Sequence, residues 1–471
     1  MPQQQRLTDA AGENAVQDKI SWNQALIEKY NYSGPRYTSY PTAVEFHKDY
    51  TDQHLREAIQ DSDKRNLSLY IHVPFCHKLC YYCGCNKIIT RHAHKADQYL
   101  DYLEREINAR APLFQEYTVT QMHWGGGTPT FLSHEQIRRL VALLKEKFNF
   151  ADEGEFAIEV DPREIELDTL EVLKEVGFNR ISVGVQDFNK EVQAAVNREQ
   201  DEQFIFDLIG RARELGFTST NIDLIYGLPH QTPESFAKTL ERVKDLDPDR
   251  LSVFNYAHLP HRFAAQRKLK EEDLPTPHQK LKILENSINT LMGYGYQFIG
   301  MDHFAKPEDE LARLQNEGKL HRNFQGYTTQ PDADLLGLGA SAISNIGKAY
   351  AQNAVDLKAY YEAMDANEHA MIKGCGLETD DFIRREVIKQ LICHFQLDKT
   401  AIEKQWNIDF NQYFEEDQKL LTPFIEDDLV HLSDDRIEVT GQGRLLIRNI
   451  CMCFDRYLRD KARQQQFSRV I

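Results

Sequence analysis

A chain of 471 residues, 41% of them hydrophobic, has enough apolar mass for one large domain and one or two smaller ones. Its net charge of −17 argues against nucleic acid or an anionic membrane surface as the main partner, since phosphate binding asks for a basic face; a locally basic pocket for a small anion stays compatible. No apolar run of about 18 residues occurs, so no membrane span is expected, and the polar opening Met1–Gly12 lacks the apolar core of a secretory signal.

Residues 1 to about 20 are polar and expected to be poorly ordered. Helix formers and aromatics gather from Ser21. The run Gly34-Pro35-Arg36-Tyr37-Thr38-Ser39-Tyr40-Pro41 is too rich in proline and glycine for a helix and reads as an extended arm. Its tyrosines and arginine favour contact with the body of the protein or a ligand over a plain surface linker.

A repeating pattern starts at Leu67. Short apolar segments recur at Leu67–Val73, Gln121–Trp124, Glu155–Val160, Asn179–Val185, Thr220–Tyr226 and Arg250–Tyr256. Amphipathic stretches separate them, at Lys95–Ala111, His134–Phe148, Asp168–Val176, Asp201–Leu215 and Thr232–Leu246. Strands alternating with helices imply parallel βαβ units. The six strands fall short of the eight of a closed barrel. The fold class is therefore α/β, a partial (β/α)6 barrel with its chemistry at the C-terminal strand ends.

Residues 275–350 predict a helix over Pro277–Met292, a strand over Tyr296–Met301 and a loop around Gln325-Gly326-Tyr327. The small residues of Leu335–Ile343 fit either close backbone packing or a pocket wall. Beyond about residue 370 the alternation ends. Helices are predicted at Thr379–Phe395, Ile402–Trp406 and Gln412–Ile425, a hairpin at Leu429–Thr440 turning at Ser433-Asp434-Asp435, and a final helix at Gly443–Arg459. This reads as a mostly helical, winged-helix-like lid or packing domain. The expected bounds are 1–60 for the arm, 61–365 for the barrel and 366–471 for the last domain.

Half of the eight cysteines crowd into Cys76, Cys80, Cys83 and Cys85, on the loop leaving the first strand. The first three have the spacing C-x3-C-x2-C. Three thiolates on one tight loop can hold three irons of a [4Fe-4S] cluster and leave the fourth iron open. Zinc would ask for four ligands, usually as two distant C-x2-C pairs, and Cys451 with Cys453 is the nearest approach to a second pair. Zinc and a purely structural role remain as alternatives. Cys375, Cys393, Cys451 and Cys453, in helical or loop contexts, read as small buried hydrophobes. Gly125-Gly126-Gly127-Thr128-Pro129-Thr130 follows a strand but has neither a Walker lysine nor dinucleotide spacing. Its bare backbone suits the amine and carboxylate of a methionine moiety; the plain alternative is a tight turn.

The cysteine spacing after a strand, with Tyr82 before the last cysteine, resembles the radical S-adenosylmethionine (SAM) superfamily. With Gly84-Cys85 appended it is similar to the oxygen-independent coproporphyrinogen III oxidases. So are Gly34–Thr42, His123–Thr130, Glu159–Glu164, Gly184–Asn189, Val196–Gln200, Asn221–Pro229, Arg322–Thr329 and Leu445–Asp455. The resemblance spans nearly the whole chain. It implies that Cys76, Cys80 and Cys83 hold the cluster and that SAM, in two copies, is the second cofactor. Tyr70, Gly126 and Glu159 fall on SAM-contacting positions. Tyr82, Gly127, Thr128, Gln186, Arg198, Asp223, Ala257, Gln325 and Ile343 do too, several of them assigned to the second SAM. Cys85 is marked as needed for activity without being an iron ligand.

The implied reaction is reductive cleavage of SAM, hydrogen removal from a propionate β-carbon of coproporphyrinogen III by the 5′-deoxyadenosyl radical, and loss of carbon dioxide and an electron to leave a vinyl group. Two propionates react, giving protoporphyrinogen IX. Candidate donors to the substrate carboxylates are Arg36, Tyr37, His72, His123 and Arg322. A flavodoxin- or ferredoxin-like electron donor, a monomeric state and a cytoplasmic location complete the expectation. A heme carrier on the same fold and a zinc-stabilised interaction protein compete with it; Cys85 and the arm count against the first, the glycine run against the second.

Overall fold

In the computed structural model, which describes residues 20–330, 333–367, 369–459 and 467, the alternation from Leu67 becomes six adjacent strands in chain order. They are β1 (Asn66–Val73), β2 (Thr118–Gly126), β3 (Asn149–Val160), β4 (Arg180–Gln186), β5 (Ser219–Tyr226) and β6 (Arg250–Asn255). Every neighbouring pair is parallel. Between them run helices such as α1 (His94–Arg110), α2 (His134–Lys147), α3 (Asp168–Val176), α4 (Glu202–Glu214) and α5 (Pro233–Leu246). Helix starts follow capping chemistry: Ser133 with Gln136 and Thr232 with Ser235 form reciprocal caps.

The two sheet faces differ, which is what places the site. On one face Ile158, Val183, Val185, Ile222 and Leu224 are fully buried, each contributing about 1.5–3 kcal/mol. On the other, Glu159, Ser182, Gly184, Asn221 and Asp223 are only half-buried. A parallel sheet covered on both faces would be apolar on both. The polar row therefore marks an open inner face.

The sheet does not stop at six strands. Beyond β6 lie β7 (Gln297–Gly300) and β8 (His303–Ala305), antiparallel. Beyond β1 lie β9 (Ala333–Leu338), parallel to it, then β10 (Ile343–Ile346), β11 (Ala349–Asn353) and β12 (Met371–Gly376), antiparallel. The result is one open, mixed sheet in the order β12-β11-β10-β9-β1-β2-β3-β4-β5-β6-β8-β7. The glycine-rich segment over Leu335–Ile343 is thus mostly strand: a Cβ on Gly337 would lie 2.6 Å from the Ile343 carbonyl oxygen, so small residues there are a packing requirement. Cys375 is buried as expected, but on β12 and not in a helix or loop. The loop at Gln325 is the turn of a small hairpin, His321–Asn323 with Gly326–Thr328.

The chain divides into two compact units, Met1–Arg36 with Glu386–Ile471, and Tyr37–Arg385. These differ from the bounds 1–60, 61–365 and 366–471, and side-chain packing explains why. Tyr30 stacks on Phe424 with ring centroids 4.7 Å apart and donates to Asp427 at 2.6 Å, and Arg448 Nε donates to the Pro35 carbonyl at 2.9 Å. Tyr37 and Tyr40, by contrast, are buried in the sheet-bearing unit, where Tyr350 donates to the Tyr40 carbonyl at 3.2 Å. The polar stretch 1–20 lies outside the described residues except for Ile20.

In the first unit a three-stranded antiparallel sheet, Gln396–Asp398, Arg436–Val439 and Val430–Leu432, accompanies short helices. Its hairpin turns at Ser433, whose hydroxyl donates to Asp435 at 2.8 Å. The helix expected over Gln412–Ile425 is broken into Phe410–Tyr413, Glu415–Lys419 and Thr422–Glu426. The last helix is shorter than Gly443–Arg459. Its regular part is Ile447–Met452, after which Cys453 and Phe454 bond to carbonyls three residues back and Asp455 caps a new turn at Tyr457.

Candidate active site

The cysteine loop leaves the C-terminal end of β1. Phe75–Cys76 pairs with Ile88–Ile89 and closes the loop's base. Its far side is held by the turn after the short helix Lys190–Ala195, which follows β4: Tyr81 N–H donates to the Val196 carbonyl at 3.0 Å and Asn197 Nδ2 to the Leu79 carbonyl at 2.7 Å.

Each of the three sulfurs in the C-x3-C-x2-C spacing receives a hydrogen bond. Thr128 Oγ1 donates to Cys76 Sγ at 3.4 Å. Arg163 Nη2 and Arg198 Nη1 donate to Cys80 Sγ at 3.3 and 3.4 Å. Cys85 N–H donates to Cys83 Sγ at 3.5 Å. Donors aimed at sulfur suit thiolates. Burial pushes the Cys76 thiol up to about 12, partly offset by the Thr128 bond. Cys83 moves the other way: the contact with the Cys85 thiol draws it down, and the same contact drives Cys85 up. Among the described residues no three His, Cys, Asp or Glu side chains converge on a single-ion site; thiolates that each bind a different iron of a cluster need no such convergence. This donor set fits Cys76, Cys80 and Cys83 as cluster ligands.

A buried ion group stands behind Cys80. Asp161 accepts from Arg163 at 2.6 Å and from Arg198 at 3.0 Å, and all three side chains are nearly inaccessible. Burial alone would raise the Asp161 carboxyl, but the two guanidinium groups bring it down to about 2. Arg198 also donates to the Gly184 carbonyl. Here β4 carries a register irregularity between Gly184 and Gln186, and Gln186 has φ 70. A non-glycine residue in this region at a strand end signals a locally constrained backbone.

The glycine run serves close approach. Gly127 N–H donates to the Val73 carbonyl at 2.8 Å, and a Cβ on Gly127 would lie 2.7 Å from the Pro74 carbonyl carbon. Gly126 has φ +118, and a Cβ there would meet the His72 ring at 2.5 Å. Gly126 N–H donates to Glu159 Oε2 at 3.3 Å. These contacts bear out the tight-turn reading of the glycines.

On the inner face, His123 Nε2 donates to Glu159 Oε1 at 3.2 Å, since a carboxylate only accepts. Tyr70 stacks on His123 with centroids 6.0 Å apart. His72 Nε2 donates to the Asn86 carbonyl at 3.1 Å and burial holds the ring neutral, so Nδ1 accepts from Tyr70 OH at 3.1 Å. Asp223 accepts from Asn221 at 2.8 Å and Ser182 at 3.0 Å; burial and the Glu159 charge raise its carboxyl.

Tyr82 packs with Tyr81 against Val192, Val196, Leu228 and Tyr256. Gln266, fully buried, donates to both the Tyr82 carbonyl at 3.0 Å and the Ala257 carbonyl at 3.3 Å, bringing those two positions together. Ile343 and Phe324, the neighbour of Gln325, share the Phe46–Tyr350 cluster. Of the substrate-donor candidates, His72 and His123 are engaged as above, Tyr37 is buried, Arg322 lies on the hairpin and Arg36 belongs to the first unit. Sequence reasoning missed Asp161, Arg163, Asn197 and Gln266. The first three sit inside motifs already singled out, Glu159–Glu164 and Val196–Gln200; Gln266 carries no sequence signal.

Comparison with known proteins gives a consistent picture. The Radical SAM superfamily model matches residues 70–243 and the HemN C-terminal domain model residues 377–446. An oxygen-independent coproporphyrinogen III oxidase of Escherichia coli K12 is 66% identical over 453 residues, spanning 96% of this chain and 99% of that protein. One of the same name from Pseudomonas aeruginosa is 51% identical over 459 residues, spanning 96% and 100%. A solved coproporphyrinogen III oxidase from Escherichia coli, described as a radical SAM enzyme, superposes with a TM-score of 0.90 at 62% identity, covering 93% of this chain and 100% of that one.

Proposed function

The chain belongs to the oxygen-independent coproporphyrinogen III oxidases of the radical SAM superfamily, and from that premise we propose how its own residues divide the work. It oxidatively decarboxylates two propionates of coproporphyrinogen III to vinyl groups in heme biosynthesis, using a [4Fe-4S] cluster and SAM. When bound, the cluster and SAM supply one-electron cleavage of the sulfonium and hydrogen removal from the propionate. Everything else falls to the protein.

Cys76, Cys80 and Cys83 hold the cluster, with Thr128, Arg163, Arg198 and Cys85 as hydrogen-bond donors to their sulfurs. The single observation that carries this is the convergence of those donors on three sulfurs at the C-terminal end of β1. Glu159 and Asp223, as acceptors on the inner face, receive the amine and hydroxyl groups of SAM, a cationic ligand suited to carboxylates. Tyr70, Tyr82, Gly126, Gly127, Thr128, Gln186, Arg198, Ala257, Gln325 and Ile343 border SAM, several of them a second SAM.

The enzyme acts as a monomer in the cytoplasm and takes electrons from a flavodoxin- or ferredoxin-like protein, with neither nucleic acid nor membrane as partner. The charge of −17 and the thiols Cys76, Cys80, Cys83 and Cys85, which must stay reduced, support this. No helix among the described residues is long and apolar enough to cross a membrane.

Cys85 is a proton-holding partner of the Cys83 sulfur and not a ligand. Cys85→Ala is therefore expected to retain wild-type iron and sulfide content while vinyl formation drops to background. Loss of iron together with activity would place Cys85 among the ligands instead. The function itself is tested by anaerobic incubation with SAM and dithionite: mass spectrometry should show a porphyrin lacking two carboxyl groups, and recovery of unaltered coproporphyrin would refute it.

A further inference from the structure

We propose that Arg322 is a carboxylate receptor that seats a propionate of the tetrapyrrole on the inner face; this rests on the substrate reading above and extends it to a residue. Arg322 lies opposite Tyr327 in the hairpin, and its guanidinium carbon is 4.7 Å from the centre of the Tyr327 ring. That contact orients the planar head group. Its Nε and Nη1 are buried, and neither has an acceptor in the protein. An arginine stays charged at any working pH, so burying its N–H groups without acceptor or counter-charge is unfavourable unless an anionic ligand completes the site.

The other arginines near the inner face already have carboxylate partners. Arg163 and Arg198 share Asp161, Arg180 meets Glu155 at 3.1 Å, and Arg250 meets Asp309 at 2.8 Å. Among the described residues no carboxylate pairs with Arg322. The hairpin is anchored to the same face as the site. Thr328 Oγ1 and Gln121 share hydrogen bonds, Gln121 accepts from Ser68 of β1 at 2.9 Å, and Tyr327 meets His303 of β8 edge-on at 5.2 Å. Gln325, at the hairpin turn, has a buried amide Nε2 that also lacks an acceptor. Partnerless donors on two residues of one hairpin fit a receptor for an anion such as a carboxylate, which buried N–H groups hold by charge-assisted hydrogen bonds. Carboxylates come from two sources here, the substrate's propionates and the methionyl end of SAM.

The test uses the reconstituted, cluster-loaded enzyme under anaerobic conditions. Binding of coproporphyrin III, the oxidised and unreactive form of the substrate, is followed by fluorescence anisotropy beside its tetramethyl ester; SAM binding is followed by equilibrium dialysis. Arg322→Gln is expected to weaken coproporphyrin III by about tenfold or more, with the ester and SAM unaffected. Arg322→Lys should give an intermediate loss, since charge remains but the fork does not, and it carries the test should the glutamine variant not fold. Unchanged coproporphyrin III affinity overturns the proposal, as does a loss confined to SAM. Failure of the wild-type chain to bind coproporphyrin III would overturn the substrate reading and this proposal together; binding by wild type with no effect of either substitution would overturn this proposal alone.

Discussion

In Cys80→Ala, vinyl formation and SAM cleavage are expected to fall to background and bound iron to be lost, while the cluster-free chain should keep a urea midpoint close to that of wild type. Removing a ligand thiolate removes the cofactor that carries the chemistry, so no partial rate survives. The fold survives because the pairing behind the sulfur does not need it: Asp161 still holds both Arg163 and Arg198. Anaerobic reconstitution, iron and sulfide assay, and urea unfolding of the cluster-free chain together check this. Retention of a full cluster in Cys80→Ala would remove Cys80 from the ligand set.

Asp161→Asn acts the opposite way, through the fold. The substitution keeps the side chain's shape but leaves two buried guanidinium groups without their counter-charge. Breaking a buried ion group in this manner costs about 3–5 kcal/mol, against a total stability of about 5–15 kcal/mol for a typical native protein. The proton-linked part alone is about 2 kcal/mol, because the Asp161 carboxyl titrates near 2 in the folded chain and near 3.8 unfolded. A lowered folded value means the contribution is complete above about pH 4 and fades as pH falls toward 2. The expected result is a large drop in urea midpoint for Asp161→Asn at pH 7 that narrows at pH 3. An equal gap at both pH values would contradict the ion-pair account.

Much of the site was legible because its signals are local. The six strands announced themselves by short apolar runs, and each begins and ends within a few residues of expectation except β3, whose first half, Asn149–Gly154, is too polar to stand out. The cysteine spacing and the glycine run needed no tertiary information. What escaped notice depends on contacts between distant segments. Asp161 and Arg163 look like an ordinary polar loop until Arg198 and Cys80 are brought beside them. Strand β9 is disguised by its glycine and becomes a strand through pairing with β1, Tyr70 opposite Gly337. That the arm expected over 1–60 is shared between the two units at Arg36/Tyr37 was also illegible, because it rests on Tyr37 and Tyr40 being buried with Tyr350 while Tyr30 stacks on Phe424. The final helix breaks where Asp455 finds a nearer backbone partner in Tyr457 than the helix offers.

The same geometry explains how an acidic chain accommodates an acidic substrate. Most cations near the inner face are locked in pairs, so the field there is set by few uncompensated groups. On the proposed assignment, Glu159 and Asp223 favour the cationic cofactor, and Arg322 supplies the opposite sign on the hairpin. Sorting two ligands of opposite charge to two sets of residues is what a reaction between SAM and a multi-carboxylate tetrapyrrole requires.

The most direct measurement counts 5′-deoxyadenosine against protoporphyrin in one anaerobic reaction of the reconstituted wild-type enzyme with SAM, dithionite and coproporphyrinogen III. Since two propionates each lose a hydrogen, the account predicts both products, in a ratio approaching two to one, and neither in Cys76→Ala. Formation of 5′-deoxyadenosine without any protoporphyrin from a fully loaded enzyme would contradict the assignment of the substrate, and absence of both would contradict the account as a whole.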